Sequence, residues 1–188
     1  MKTLFAQQLE SVLDQAQTQV LLDLPKRIGF SDFLVQHPLQ KIVFAQKIID
    51  NQVEVNGIYD YVLKIAEVSV SRAEIEYGWY YRKQDFWSIS SLGINLQNAI
   101  ERTFIHELGH HLHRVLREID LPLFRSTMLF PVGNALSQYG LKSNLEYFAE
   151  NFVAYVYHRI EFLIDDQLGY DMLERVFRRL GLEIKELS

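Results

Sequence analysis

Apolar positions recur at roughly helical spacing near the start of the chain. Residues 3–22 combine leucine and valine at helical spacing with glutamine at the solvent-facing positions, a pattern typical of an amphipathic helix. Within residues 31–50, a run of isoleucine, valine and alanine between 42 and 49 predicts a second, short helix. The pattern therefore predicts two helices before residue 50.

The pattern changes between residues 53 and 91, where valine, isoleucine and tyrosine become frequent. β-Branched and aromatic residues favour strands, so we expect three or four strands in this part of the chain. The strand-like segments are 53–55, 59–70, 74–81 and 86–91. Asn56-Gly57 predicts a turn, and residues 81–86 predict the loop of a hairpin between the last two strands.

Helical periodicity returns in the second half of the chain. Residues 96–119 carry an apolar stripe at intervals of three and four, which predicts one long helix facing the core. A connection over 120–143 follows, and structureless loops of that length tend to be functional. Ser143 or Asn144 would cap the next helix, with Glu146 early in its first turn.

The order of these elements predicts an α+β fold, because sheet residues come first and helices follow. The last two helices are expected over about 144–160 and 165–180. A chain of 188 residues is the size of one domain. We expect a helix-plus-sheet part at residues 1–95 and a helical part at residues 96–188.

Composition and charge narrow the class of protein. Lysine and arginine number 19 against 24 acidic residues, a net charge of −5, whereas a nucleic-acid binder normally carries a basic stripe. No apolar run approaches the roughly 18 residues of a membrane span, and the N-terminal residues lack the apolar stretch of an export signal. We expect no nucleic-acid or membrane partner and a cytoplasmic location by default, with secretion or delivery into another cell left open. The chain has no cysteine, so His, Asp and Glu are the candidate metal ligands.

The long predicted helix contains His106-Glu-Leu-Gly-His110, an H-E-x-x-H motif. Residues i and i+4 lie about 40° apart around a helix, so both imidazoles face one point and can bind one Zn²⁺. Glu107 falls beside that point, where its carboxylate can accept a proton from water. Gly109 lowers helix propensity and needs a packing or functional reason. The alternative is a surface helix with two accidental histidines.

A catalytic zinc takes three protein ligands and keeps one exchangeable position, so a third ligand is needed. His113 shares the helix face but lies about 10 Å from His106 along the helix axis, too far for one tetrahedral site. The pattern H-E-x-x-H-x-x-G-x-x-H also fails, because position 113 is not glycine and position 116 is leucine. The remaining histidines are expected to be solvated or satisfied in the core: His37, His111 and His158.

Two carboxylates, Glu146 and Glu150, follow at a spacing of four in an otherwise apolar helix. Phe148 and Phe152 would draw that helix inward, and burying two like charges about 6 Å apart without a partner is costly. A metal cation with its histidine ligands would compensate the two negative charges. We predict Glu146 as the third zinc ligand and Glu150 as the acceptor of a ligating histidine's free ring N–H. Two alternatives stay open: the glutamates exchange roles, or both are solvated on the outer face.

The stretch Tyr139-Gly-Leu, followed by Glu146-Tyr-Phe-Ala-Glu150-Asn-Phe and preceded by H-E-x-x-H, resembles the gluzincin family of anthrax lethal factor and the Pro-Pro endopeptidases. The strong similarity covers about 30 residues, and the predicted hairpin at 78–91 is more loosely similar to the family's edge strand. The resemblance implies a zincin-like domain in which Glu146 is the third zinc ligand. It also implies that Tyr139, seven residues earlier, stabilises the tetrahedral intermediate. The alternative for Tyr139 is packing in a loop.

Together these residues predict a zinc-dependent endopeptidase acting on a peptide or protein substrate, with substrate-binding residues left unassigned. If residues 86–91 form an exposed edge strand, a peptide could add to it by backbone pairing. The alternative is a catalytically inactive zincin-fold module with a binding or structural role, associated with a phage or a toxin. The intact Glu107 argues against that alternative, because a structural zinc needs no base. Zinc hydrolysis of a non-peptide bond also stays open.

Overall fold

Strands and helices are mixed in the structure, a computed structural model that describes residues 6–70, 96–129 and 140–187. The strands are β1 (Ala6–Ser11), β2 (Leu39–Ala45), β3 (Ile48–Asp50), β4 (Val53–Val55), β5 (Gly57–Asp60) and β6 (Ile65–Ser69). The helices are α1 (Gln15–Arg27), α2 (Ser31–Gln36), α3 (Leu96–Ile119), α4 (Leu121–Thr127), α5 (Asn144–Tyr157), α6 (Arg159–Asp165) and α7 (Gln167–Leu180). The predicted α+β class, with a small sheet and a mainly helical C-terminal half, is confirmed. Within the described ranges, no helix combines the length and the hydrophobicity that crossing a membrane requires.

Among the described residues, the larger sheet contains four strands in the order β1-β2-β6-β5. β1, β2 and β6 run parallel, whereas β5 pairs antiparallel with β6 and lies at one edge of the sheet as far as it is described. In the register of the sheet, Ile42 of β2 lies between Leu9 of β1 and Ala66 of β6, and all three side chains are buried. Parallel neighbours need a long crossover connection, which α1 and α2 supply between β1 and β2.

The first predicted helix is wrong in its first half, because residues 6–11 form β1. Ala6 and Leu9 are buried and are each followed by two exposed residues, a spacing that suits a helix as well as this short strand. Pairing with β2 decides the outcome, since tertiary context overrides weak local preference. Helix α1 begins only after Asp14, whose carboxylate accepts a hydrogen bond from the N–H of Gln17 in a capping box.

The second predicted helix is wrong as well, because residues 42–49 contribute to β2 and β3. The helix in this region is α2, which ends before β2 begins. β2 is an interior strand, and its buried side chains are those of Leu39, Ile42 and Phe44. An interior strand gives an apolar run that periodicity alone does not distinguish from a buried helix.

The strand predicted at 53–55 is confirmed as β4, which pairs with β3 in a separate hairpin. The turn of this hairpin is formed by Asn51 and Gln52, whose φ angles of 47° and 68° lie in the left-handed region that tight hairpin turns use. The turn predicted at Asn56-Gly57 is a bend at Asn56 between β4 and β5, and Gly57 is already the first residue of β5.

The strand predicted at 59–70 is two antiparallel strands, β5 and β6, joined by a turn at 61–64. The Asp60 carboxylate closes this turn by accepting hydrogen bonds from the N–H groups of Val62 and Leu63, each 2.8 Å long. Outside the described residues lie the strands predicted at 74–81 and 86–91 and the loop between them.

The long helix predicted over 96–119 is confirmed as α3, with the same bounds. The loop predicted after it is partly helical, because α4 begins at Leu121. The Asp120 carboxylate starts that helix by accepting a hydrogen bond from the N–H of Leu123 at 3.1 Å. The sequence signal for α4 is weak because the helix has only seven residues.

Three described helices follow residue 143, where two are predicted. α5 begins after Ser143, whose hydroxyl accepts a hydrogen bond from the N–H of Glu146 at 3.2 Å, as the capping prediction expects. The chain leaves helical geometry at His158 and at Asp166. Asp166 caps α7 by accepting a hydrogen bond from the N–H of Gly169 at 3.0 Å.

Helix α3 packs against β5 and β6 and also against α5, and Gly109 lies at its closest approach to α5. A Cβ at Gly109 would stand 3.0 Å from Cα of Ala149 and 3.2 Å from Cδ1 of Phe152. Carbon atoms pack best at about 3.5–4.0 Å, so any side chain here would push the two helices apart. This close packing is the reason for a glycine that costs about 1 kcal/mol of helix propensity.

His113 is buried on α3 as a neutral ring. Its Nε2 lies 2.7 Å from Oγ1 of Thr127, and the Thr127 hydroxyl donates its hydrogen to the carbonyl of Phe124. Thr127 must therefore accept from Nε2–H, which leaves a lone pair on Nδ1, an atom without a partner in the described part of the chain. Burial lowers the pKa of His113 to about 3, because a second ring proton would be enclosed without an acceptor.

We predict that His113→Phe makes the fold less sensitive to acid. A histidine with a pKa near 3 when folded and 6.5 when unfolded takes up a proton on unfolding. Its contribution to stability is complete above about pH 6.5 and is lost as the pH falls toward 3. Phenylalanine keeps the stacking on Phe148 and has no such proton, so the free energy of unfolding should fall less steeply below pH 6.5, by up to about 1.4 kcal/mol per pH unit. Denaturant unfolding at several pH values in EDTA measures this slope, and equal slopes for wild type and variant would contradict the prediction.

Candidate metal centre

Helix α3 directs the two histidines of the H-E-x-x-H motif toward one point. His106 and His110 lie one turn apart and are both buried. Their ring centroids are 4.7 Å apart in an edge-to-face arrangement. The helix is continuous through the motif, so the i, i+4 spacing places both Nε2 atoms on the same side.

Helix α5 brings a carboxylate to the same point. Glu146, in its first turn, has Oε2 at 3.0 Å from Nε2 of His106 and at 3.3 Å from Nε2 of His110. One possible ligand atom from each of the three side chains lies within 4.8 Å of the others. Ligand atoms around a tetrahedral zinc with bonds of about 2.1 Å stand about 3.4 Å apart, so this group has the dimensions of a three-ligand site.

The second ring nitrogen of each histidine has its own partner. Nδ1 of His106 lies 2.7 Å from Oε1 of Glu150, one turn along α5 from Glu146. Nδ1 of His110 lies 2.9 Å from the hydroxyl of Tyr61, in the turn between β5 and β6. When both Nδ1 atoms carry the proton, both Nε2 atoms keep a lone pair for a metal ion.

Sequence reasoning identifies Glu150 as a partner of a histidine ring but misses Tyr61. Glu150 is found through its i, i+4 spacing from Glu146 on one helix. Tyr61 is one of ten tyrosines, and it reaches His110 only because the β5–β6 turn packs against α3. No local signal distinguishes it, since the contact joins residues 49 apart in the chain.

Burial and hydrogen bonding set the protonation of these side chains. Burial would raise the pKa of Glu146, but hydrogen bonds from His106 and His110 outweigh burial and hold that pKa well below its usual range. Burial opposes charge on His106, yet its hydrogen bonds to Glu146 and Glu150 raise the His106 pKa well above its usual value. Burial lowers the pKa of His110. A metal ion would take the place of the proton on His106 Nε2.

Glu107 lies beside this group and is not part of it. It is 3% exposed, and its Oε2 has no hydrogen-bond partner among the described residues. Burial raises the pKa of Glu107 to about 8; His106 opposes this rise, and the charges of Glu146 and Glu150 add to it. A buried carboxylate oxygen without a partner is costly, and such groups cluster at functional sites.

Strand β5 makes room for the carboxylate of Glu107. A Cβ at Gly57 would overlap Oε1 of Glu107 and would stand 2.9 Å from Cγ2 of Thr103. The φ angle of Gly57 is not in the left-handed region, so lack of space is the reason for glycine here. The edge of the described sheet therefore touches α3 at the side chain beside the candidate metal ligands.

The donor set fits a divalent metal ion. Two histidines and one glutamate form a set that catalytic zinc sites use, and three protein ligands leave one position open. Each histidine has an Nδ1 partner that orients its ring. The chain has no cysteine, so thiolate ligands do not compete for the ion.

The other histidines lie apart from this group. Nδ1 of His111 is 2.7 Å from the hydroxyl of Tyr59, and its Nε2 is 2.7 Å from the carbonyl oxygen of His37. Nε2 of His158 is 2.9 Å from Nη2 of Arg102. These contacts agree with the expectation that such histidines are satisfied by the fold.

Two predicted features of the site lie outside the described residues. One is Tyr139, and the other is the edge strand expected at 86–91. The edge strand that the structure does describe beside the site is β5. Tyr139 therefore remains a prediction from the sequence.

We predict that Gly57→Ala destabilises the fold chiefly through Glu107. The added methyl group overlaps Oε1 of Glu107, and overpacking of a buried position costs about 1–3 kcal/mol. In a Glu107→Ala background the carboxylate is gone, so the same substitution should cost at least about 0.5 kcal/mol less. Denaturant unfolding of the wild type, both single variants and the double variant in EDTA gives this coupling energy. A coupling energy of zero would contradict the prediction, because the cost of Gly57→Ala would then not come from its contact with Glu107.

The chain was compared with family models, curated proteins and solved structures. No family model, curated protein or solved structure matches it. What the site can do is therefore inferred from its own side chains. These are two histidines and a glutamate arranged as metal ligands, with a buried glutamate beside them.

Proposed function

We propose that the chain is a zinc-dependent endopeptidase of the gluzincin type. The observation that supports this function is the convergence of His106, His110 and Glu146, with Glu107 buried beside them. A structural zinc is normally closed by four protein ligands, whereas the described residues offer three at this point. An open position next to a buried carboxylate suits catalysis on a bound substrate.

In this proposal His106, His110 and Glu146 hold the zinc ion. Bound Zn²⁺ would supply Lewis-acid chemistry, polarising a carbonyl oxygen and making water more acidic. Glu150 accepts the Nδ1–H of His106, which fixes the tautomer and makes Nε2 a better donor. The first turn of α5 therefore provides both a ligand and the group that orients another ligand.

Glu107 is the proposed general base, and the charge of a bound metal ion would favour its ionised form over the neutral form that burial favours in the protein alone. Its carboxylate accepts a proton from water as the water adds to the scissile carbonyl, and it then returns the proton to the leaving nitrogen. Oε2, which lacks a partner among the described residues, is the oxygen available for that transfer. The other oxygen, Oε1, lies against β5 at Gly57, so the strand limits the positions that the side chain can adopt.

Tyr139 is proposed to donate a hydrogen bond to the oxyanion of the tetrahedral intermediate. The role comes from the resemblance to the lethal factor-like gluzincins, in which a tyrosine precedes the third ligand by seven residues, as Tyr139 precedes Glu146. A hydrogen-bond donor held in place for a developing oxyanion contributes about 2.7–4 kcal/mol to catalysis.

The proposed substrate is a peptide, and the proposed domain is zincin-like. Helix α3 packs on a small sheet, and among the strands that the structure describes the antiparallel strand β5 lies at the edge beside Glu107. An extended peptide running beside β5 would pass the same carboxylate and could form backbone hydrogen bonds. Such pairing suits peptide bonds better than other hydrolysable groups, because a peptide supplies donors and acceptors at strand spacing.

Zinc content and cleavage of a peptide library test this function together. We expect wild type to hold one zinc ion per chain. Glu146→Ala should lose most of its zinc affinity, because a ligand is removed. Glu107→Gln should keep its zinc, because Glu107 is not a ligand, while kcat falls by about 10²–10⁴-fold with the loss of the base.

The outcomes of this experiment separate the metal site from the peptidase activity. Wild type that holds no zinc after zinc is added back, or Glu146→Ala that retains zinc fully, would contradict the metal site. Zinc-loaded wild type that cleaves no peptide would overturn the peptidase function. That result would favour an inactive binding module or a substrate other than a peptide.

A further inference from the structure

We propose that Tyr61 is a positioning residue of the metal centre, acting through His110. This inference rests on the metal site of the proposed function and adds a residue from the β5–β6 turn to a site otherwise built from two helices. The hydroxyl of Tyr61 lies 2.9 Å from Nδ1 of His110, while Nε2 of the same ring faces Glu146. Tyr61 thus occupies the side of the ring opposite the candidate metal position.

The hydrogen bond selects the tautomer that a metal requires. When Nε2 of His110 binds a metal, Nδ1 must carry the ring proton, and that proton needs an acceptor in a buried site. The phenol oxygen of Tyr61 is that acceptor. Groups in this position commonly raise metal affinity by about 10–100-fold, because they fix both ring orientation and tautomer.

Tyr61 is itself held in place by α3. The guanidinium Nε of Arg114, one turn after His110, donates a hydrogen bond to the backbone carbonyl of Tyr61 at 2.6 Å. Arg114 also pairs with Glu118, which pairs with Lys64 in the same β5–β6 turn at 3.1 Å. These contacts tie both ends of the turn to α3, so the Tyr61 hydroxyl is fixed relative to the ring that it contacts.

The charge of the site favours a phenol at this position over a further carboxylate. Glu146 and Glu150 already place two carboxylates at the point where the two histidine rings meet, beside the buried Glu107. A further carboxylate on Nδ1 of His110 would leave excess negative charge in a buried place even with a divalent ion bound. An ordinary phenol is neutral at pH 7, so Tyr61 orients His110 without adding charge.

Tyr59 offers a matched control two residues earlier in the chain. Its hydroxyl lies 2.7 Å from Nδ1 of His111 and donates the hydrogen, because the Nε2–H of His111 donates to the carbonyl of His37, whereas the Tyr61 oxygen accepts from His110. The Nε2 atom of His111 is 2.7 Å from the carbonyl oxygen of His37, so this ring is not presented to a metal. The Tyr59 ring also lies near the rings of His110 and Tyr61, with centroids 6.4 and 5.0 Å away, and Tyr59→Phe keeps that ring and removes only the hydroxyl contact with His111.

The experiment measures Zn²⁺ affinity by competition with a chelator for wild type, Tyr61→Phe and Tyr59→Phe. It also records the visible absorption of each protein with Co²⁺, which reports coordination geometry. We expect Tyr61→Phe to bind Zn²⁺ about 10–100-fold more weakly and to show an altered Co²⁺ spectrum. Tyr59→Phe should match wild type in both. The midpoint temperature of thermal unfolding of the metal-free proteins should fall by a similar amount in the two variants, because each loses one hydroxyl contact to a buried histidine.

The results distinguish this inference from the proposed function. If wild type and Tyr61→Phe bind Zn²⁺ equally, or if both tyrosine variants weaken it equally, the positioning role is wrong even if peptides are cleaved. If Tyr61→Phe alone weakens Zn²⁺ binding but no peptide is cleaved, the positioning role stands and the peptidase does not. Wild type that binds no Zn²⁺ would overturn both.

Discussion

The close approach of α3 and α5 at Gly109 is the contact on which the candidate metal centre depends. The histidines belong to one helix and Glu146 to the other, and their ligand atoms must come within about 3–4 Å of one another. The absence of a side chain at Gly109 lets α3 lie directly against Ala149 and Phe152 of α5. Because Ala149 and Phe152 fill the space that a Cβ would need, the geometry of the site is set by backbone packing as much as by the ligands themselves.

The charges of the glutamate and histidine side chains that meet at the candidate metal centre partly balance one another. Glu146 and Glu150 contact the imidazole of His106, and in the protein alone a proton on that ring offsets part of their charge while burial favours the neutral form of Glu107. The two rings have partners of different character, a carboxylate on His106 and a phenol on His110. This asymmetry lets both rings be oriented while the total charge remains one that a divalent cation can nearly neutralise.

The parts of the site that lie within a single helix can be predicted from local sequence patterns. The i, i+4 spacing of His106 and His110 and the cap at Ser143 depend on residues a few positions apart, and α3 has the predicted bounds. Strands β1 and β2 are missed because parallel pairing between distant segments, and not periodicity, makes them strands. Tyr61 and Gly57 are missed for the same reason: their significance comes from side chains of α3 far along the chain.

Oε2 of Glu107, which has no hydrogen-bond partner among the described residues, has a consequence for the substitutions that this chain can accumulate over generations. Replacing a buried, unpaired carboxylate with an apolar residue of similar size commonly stabilises a protein, so random substitution alone would tend to remove it. Keeping it means accepting a less stable fold. In a lineage that lost the chemistry, Glu107 should therefore be among the first residues of the motif to drift, while the buried histidines, bonded to their partners, would persist longer. The residue at this position would thus indicate whether the proposed activity is retained among descendants of this sequence.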